Sequence, residues 1–224
     1  MRAGRHSSSA CRARGVALIA TALLAASCST DIRGQPGVAS AVVSYRAPGV
    51  ALGTFATFAA ASQVGLVTAA QGGKVFAAAP SLRAAVVSHL ESRGFVRVAD
   101  LDPATPPALP PDADLVVNLT ALELAATDPA FWLQYAGYSQ PADFGLPGYA
   151  WSYPWPWVDV PAQPGTLLVE VADLRGRTAG TPGQIAVVWA ALAYGVAPGG
   201  DWDAAPVIAA LDRALAQSPY LATP

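Results

Sequence analysis

Charge is scarce in this chain: 13 basic and 15 acidic residues among 224, with two histidines, two cysteines and one methionine. The formal net charge of -2 supplies no basic patch, so nucleic acid is excluded as a partner. Only one histidine, His89, lies beyond the first few residues, and Lys74 is the sole lysine. Zinc sites of the usual His and Cys ligand sets therefore cannot be assembled, and a serine triad would have to use His89. No Gly-x-Ser-x-Gly elbow serves such a triad, and Lys74 follows Gly72-Gly73 without completing a phosphate loop. No catalytic, cofactor-binding or metal-ligating residue is assigned, and the sequence reads as that of a non-enzyme. What the chain has in quantity is apolar residues, at 53%, with 20 glycines and 20 prolines, a composition suited to one folded domain rather than to a disordered chain.

The N-terminus reads as an export address. Arg2, Arg5, Arg12 and Arg14 precede a small and apolar run, Gly15 to Ala26, without an acid among them. As a helix this run is about 18 Å long, short of a ~30 Å hydrocarbon core, so it does not predict a permanent membrane span. Leu24-Ala25-Ala26-Ser27-Cys28 resembles a bacterial lipobox, in which cleavage makes Cys28 the first residue and acyl chains on it anchor the protein. The alternative is an ordinary secretory signal cut near Ala26 or Ser27, with Cys28 left as a free thiol. Cys11 lies in the discarded segment, so Cys28 would be the only mature cysteine; acylation gives that thiol a role where no internal disulfide can form. Ser29, rather than an aspartate, follows the cysteine, as in lipoproteins forwarded to the outer membrane. Loss of residues 1-27 removes four arginines and no acid, leaving nine basic against 15 acidic residues, about -6.

The expected organisation is a signal peptide over 1-27, a lipidated tether over 28-41, and one domain over 42-224 carrying an insertion at 128-164. A first strand is expected around Gly53 to Ala59, and a helix from Pro80 with Leu82, Val86, His89 and Leu90 on one face and Gly94 closing it. Phe95 to Val98 reads as a short strand, and Leu101 to Ala113, with five prolines, as a loop. Asp114 to Leu124 alternates Leu115, Val117, Leu119 and Ala121 onto one face, Thr166 to Leu174 does so with Leu167, Val169 and Val171, and Gln184 to Tyr194 is apolar on both faces. A last helix is expected from Asp203 as N-cap, with Ile208, Leu211 and Leu215 buried and Ser218-Pro219 ending it. This order predicts an α+β two-layer sandwich: a mixed, mostly antiparallel sheet of about five strands with two helices on one face.

The order and spacing of Tyr45, Thr54-Phe55, Arg83, Leu90, Arg93-Gly94-Phe95, Asp112 to Asn118, Gly165 to Glu170, Asp173 and Val188-Trp189 resemble a bacterial lipoprotein family, domain of unknown function 4136. The resemblance covers nearly the whole mature chain. It departs at Ala190-Ala191, where family members tend to carry arginine and glycine. It implies an envelope lipoprotein with a mixed sheet and two helices, and it implies no activity.

Ten of the 19 aromatic residues fall within Phe131 to Trp157. Glycines and prolines there argue against regular structure, so these rings either cover the open face of the sheet or meet a partner. Trp151, Tyr153, Trp155 and Trp157 are the candidate contacts, to a glycan, to the membrane interface or to another envelope protein. The carboxylates Glu123, Asp128, Asp143, Asp159, Glu170 and Asp173 show no paired spacing, and Glu123 and Glu170 are expected to be solvated or paired with arginine across strands. The expectation is thus an outer-membrane, periplasm-facing, lipid-anchored accessory that binds or scaffolds, the alternative location being secreted or anchored to the inner membrane. The rivals are a glycan-binding module and an envelope enzyme using carboxylates.

Overall fold

The computed structural model describes residues 41-67, 79-103, 110, 112-123, 140-154, 164-175, 177, 183-197 and 202-223. Cys28, Trp155, Trp157, Asp128 and Asp159 lie outside the described residues, as do the expected signal peptide and all of the tether but its last residue.

Eight strands form one mixed sheet: β1 (Val42–Arg46), β2 (Thr57–Ala61), β3 (Gly65–Val67), β4 (Val96–Leu101), β5 (Leu115–Leu122), β6 (Tyr149–Ser152), β7 (Thr166–Asp173) and β8 (Gly183–Ala193). The spatial order is β1-β8-β7-β5-β2-β4. β3 continues the β2 edge of β5, and β6 shares with β1 the edge of β8 opposite β7. Among the described residues there are two α-helices, α1 (Ala79–Ser92) and α2 (Ala204–Ala216).

The α+β class is as expected, and among the described residues there are two helices and a sheet of eight strands, not about five. β1, β3 and β6 are the additions. β2, α1 and β4 form a strand-helix-strand crossover, so β2 and β4 run parallel, as do β2 with β5, β3 with β5, and β6 with β8. The antiparallel pairings β1-β8, β8-β7 and β7-β5 make up the other half of the sheet.

The expected first strand at Gly53–Ala59 is displaced. Leu52–Thr54 instead forms a 3₁₀ turn in which the Thr54 hydroxyl donates to the Ala51 carbonyl at 2.8 Å. The strand starts only at Thr57, where Asp114 accepts from the backbone N–H groups of Ala56 and Thr57 at 2.7 and 3.1 Å.

Alternation sorts the central strands cleanly. Leu115, Val117, Leu119 and Ala121 of β5 and Leu167, Val169 and Val171 of β7 face the helices and pack with Leu82, Val86 and Leu90 of α1 and Val207, Leu211 and Leu215 of α2. On β8 the partner of Val171 is Trp189 and that of Ala172 is Val187, so Val188 is an extra residue and both Val188 and Trp189 join the helix-side core.

Asp203 caps α2 by accepting from the Ala205 N–H at 3.3 Å. Its far end is held by Arg93, which donates to the carbonyls of Leu215, Ser218 and Leu221 and so places a cation at a helix C-terminus. Beside Arg93, Gly94 takes φ +92°, and a Cβ there would lie 2.0 Å from the Thr223 hydroxyl oxygen. His89 links the helices through Asp212, its Nε2 2.5 Å from the carboxylate.

Candidate functional site

The other face of the sheet is also covered. Val116, Leu122, Leu168, Ala172, Ile185, Val187 and Leu192 lie beneath a segment running from the 3₁₀ turn Pro141–Phe144 through β6. Gln140 and Asp143 close a capping box at the start of that turn, and Gly145 passes the Asp102 backbone so closely that a Cβ would lie 3.3 Å from it. Phe144 sits over β3 and β5, 3.3 Å from where a Cβ on Gly65 would be. Trp151 is 6% exposed and tilted against Phe144, with ring centroids 6.3 Å apart.

Within this apolar layer lies a row of polar residues. Strand register aligns Tyr45 on β1, Ala190 on β8, Glu170 on β7 and Asn118 on β5. Glu170 and Asn118 are both 0% exposed. The Asn118 amide donates to one Glu170 oxygen at 2.7 Å, and the Tyr153 hydroxyl donates to the other at 2.5 Å. Asn118 Oδ1 is buried and has no hydrogen-bond partner among the described residues. Thr120 and Thr166 are buried on the same face. Burial raises the Tyr45 phenol pKa above its ordinary value; Tyr194 beside it is raised far higher, by burial first and by Tyr45 second. Both phenols therefore stay neutral well above physiological pH.

This corrects the expectation of a solvated Glu170: the side chain is fully buried and accepts from Asn118 and Tyr153. Its carboxyl group pins the covering segment to the sheet through Tyr153. Glu123 accepts from the Trp202 indole N–H at 3.0 Å. Asp173 pairs with Arg175 at 3.1 Å, and Asp143 belongs to the capping box. The structure thus places four of the six singled-out carboxylates in separate surroundings. Among the described residues no three His, Cys, Asp or Glu side chains are grouped to hold a metal ion, and no helix is long and apolar enough to cross a membrane.

Of the candidate contacts, Trp151 and Tyr153 are engaged with the protein itself, Trp151 in the covering layer and Tyr153 on Glu170. Removing only the phenolic oxygen, Tyr153→Phe, leaves a buried carboxylate oxygen short of a donor. A loss of about 1.5–3 kcal/mol is expected, read as a lower urea midpoint at unchanged slope. Faster amide exchange in β6 should accompany it, and an unchanged midpoint would show that the pin contributes nothing.

No protein-family model matches the chain, and no curated protein matches it. Among solved structures, a DUF4136 family protein from Bacteroides thetaiotaomicron superposes with a TM-score of 0.63 at 21% identity, over 82% of this chain and 98% of that one. The fold is the DUF4136 fold. Two PelC dodecamer structures from Paraburkholderia phytofirmans overlap 82% and 83% of this chain and 99% of their own, at 15% and 14% identity and TM-scores of 0.34 and 0.36. The DUF4136 likeness fixes the arrangement of sheet and helices that the sequence resemblance implied. It assigns no chemistry to the polar row.

Proposed function

We propose that the protein is a lipid-anchored envelope protein, periplasm-facing on the outer membrane, that acts by binding or scaffolding rather than by catalysis. The observation that carries this reading is the sequence Leu24-Ala25-Ala26-Ser27-Cys28 directly after a basic and then apolar N-terminus. The DUF4136 fold agrees with the lipoprotein family that the segment order resembles. The non-catalytic part rests on Glu170: both oxygens of this buried carboxyl are held by protein donors, which suits a structural anchor better than a group offered to a substrate. Trp155 and Trp157 are the residues proposed to meet a glycan or an envelope protein, since Trp151 and Tyr153 are engaged in covering the sheet.

The test is intact-mass analysis of the membrane-extracted protein beside Cys28→Ser. The expected result is a mature chain that starts at Cys28 and carries acyl mass, and a Cys28→Ser variant that leaves the membrane fraction. An unacylated soluble chain would overturn the anchor.

A further inference from the structure

β4 ends the sheet beyond β2 and is paired on one side only among the described residues. It also carries the two exposed large apolar side chains of the described residues, Val96 at 58% and Val98 at 40%. An edge of this kind is a template for another strand.

Its register with β2 is unusual. Thr57 pairs with Val96 and Phe58 with Arg97, but Ala59 pairs with Ala99, Ala60 with Asp100 and Ala61 with Leu101, which leaves Val98 as an extra residue. In a regular strand, residues three apart point to opposite faces. Here the bulge turns Arg97 and Asp100 to one face, the side of Phe58 and Ala60, where their ion pair measures 3.5 Å. Val96 and Leu101 likewise share the other face. The Val96 N–H donates to the Ala56 carbonyl at 2.9 Å and the Leu101 carbonyl accepts from Ser62 at 2.7 Å, so these two residues direct backbone groups inward. Their neighbours Arg97 and Asp100 consequently direct theirs outward.

We infer that β4 pairs with β4 of a second copy of this chain, antiparallel, about a twofold axis between Val98 and Ala99. In that register Arg97 lies opposite Asp100 of the second copy, and Asp100 opposite its Arg97, each as a pair that exchanges outward backbone bonds. Opposed side chains in such pairs have Cβ atoms about 4.5–5.5 Å apart, so the charges complement one another twice. Val96 meets Leu101 of the second copy on the other face, and like faces stay together across the join. Bulges and charges normally blunt an edge. A strand with the same bulge and the reversed charge order is the one partner they admit. The present partners of Arg97, namely Asp100 at 3.5 Å and Glu91 at 3.7 Å, are exposed pairs of small worth that it can exchange, whereas Asp100 keeps Arg83 of α1 on Oδ1 and offers Oδ2 to the incoming arginine. The join is short, so the dimer is weak in solution; two-dimensional confinement by the proposed lipid anchor would strengthen it.

The test is sedimentation equilibrium of the full chain in detergent, in which a reversible monomer-dimer equilibrium is expected. Asp100→Arg sets Arg97 against arginine, and Arg97→Asp sets Asp100 against aspartate. Each alone should weaken self-association about tenfold. Mixed, the two variants should pair with each other as well as the parent does, which also shows both to be folded. Amides of Arg97 and Asp100 in the parent chain should exchange more slowly at high concentration. A monomeric parent chain, single variants that associate normally, or a mixture that fails while both melt like the parent would each overturn the pairing. So would concentration-independent exchange, whatever the variants do. None of these outcomes depends on whether Cys28 is acylated.

Discussion

Trp189→Ala is expected to destabilise the domain by about 3–5 kcal/mol, the range for truncating a large buried aromatic side chain. Trp189 is 0% exposed and sits on β8 at the point where the bulge at Val188 turns two successive residues into the helix-side core. Its indole N–H donates to the Ser218 hydroxyl at 3.0 Å, just beyond the end of α2. The same short stretch gives the Ser218 carbonyl to Arg93 at 2.9 Å. Removing the ring therefore opens a cavity between sheet and helices and loosens the join that fixes the end of α2 against α1. Against a total of about 5–15 kcal/mol for a domain, the loss brings the variant close to unfolding. Urea unfolding measures it directly, and amide exchange in α2 should rise before exchange in β5. A midpoint shift equivalent to less than about 1 kcal/mol would mean that the site collapses without penalty.

Gly165→Ala is expected to be comparably damaging, at about 3 kcal/mol or more, for a different reason. Gly165 precedes β7 with φ +75°, and a Cβ there would lie 2.2 Å from the Ala197 carbonyl oxygen and 2.6 Å from its carbon. The obstruction is backbone, and the two segments are bonded together: Val196 N–H donates to the Gly165 carbonyl at 2.9 Å, and Gly165 N–H to Leu122 at 2.8 Å. Relief requires the ends of β5, β7 and β8 to separate. Gly49→Ala separates conformation from collision, because Gly49 has φ +74° and nothing within 4 Å of the added atom. It should cost only about 1–2 kcal/mol, the left-handed backbone penalty. Equal losses at the two positions would show that the overlap at Gly165 is relieved by a small shift.

The long elements were legible because their local signals agree with their tertiary surroundings. Asp203 caps α2 as its position before Pro206 implied, and the Leu211 and Leu215 stripe is buried, with Ile208 at its margin. β5, β7 and β8 begin and end close to where alternation placed them. β3 and β6, with three and four residues, carry too little pattern to be seen alone and exist through their partners β5 and β8.

The polar row was missed because Asn118, Thr120, Thr166 and Glu170 occupy the positions that alternation assigns to solvent. A signal was nevertheless present: Val116 and Leu122 on β5 and Leu168 and Ala172 on β7 share that parity. A face apolar at both ends is a covered face, and a carboxylate in its middle needs donors. The aromatic segment supplied both, with Trp151 in the covering layer and Tyr153 on Glu170.

The edge of β8 shared by β1 and β6 has a consequence for how the chain is made. About 140 residues separate the end of β1 from the start of its partner β8, so β1 is synthesised long before the strand that receives it. During that interval Val42, Val43 and Tyr45 have no ladder to join, and β5 and β7 can meet without them. β1 therefore cannot take its place in the sheet before β8 has been made. Premature truncation upstream of β8 would remove the place of both β1 and β6 at once, leaving exposed strands as targets for chaperones and proteases.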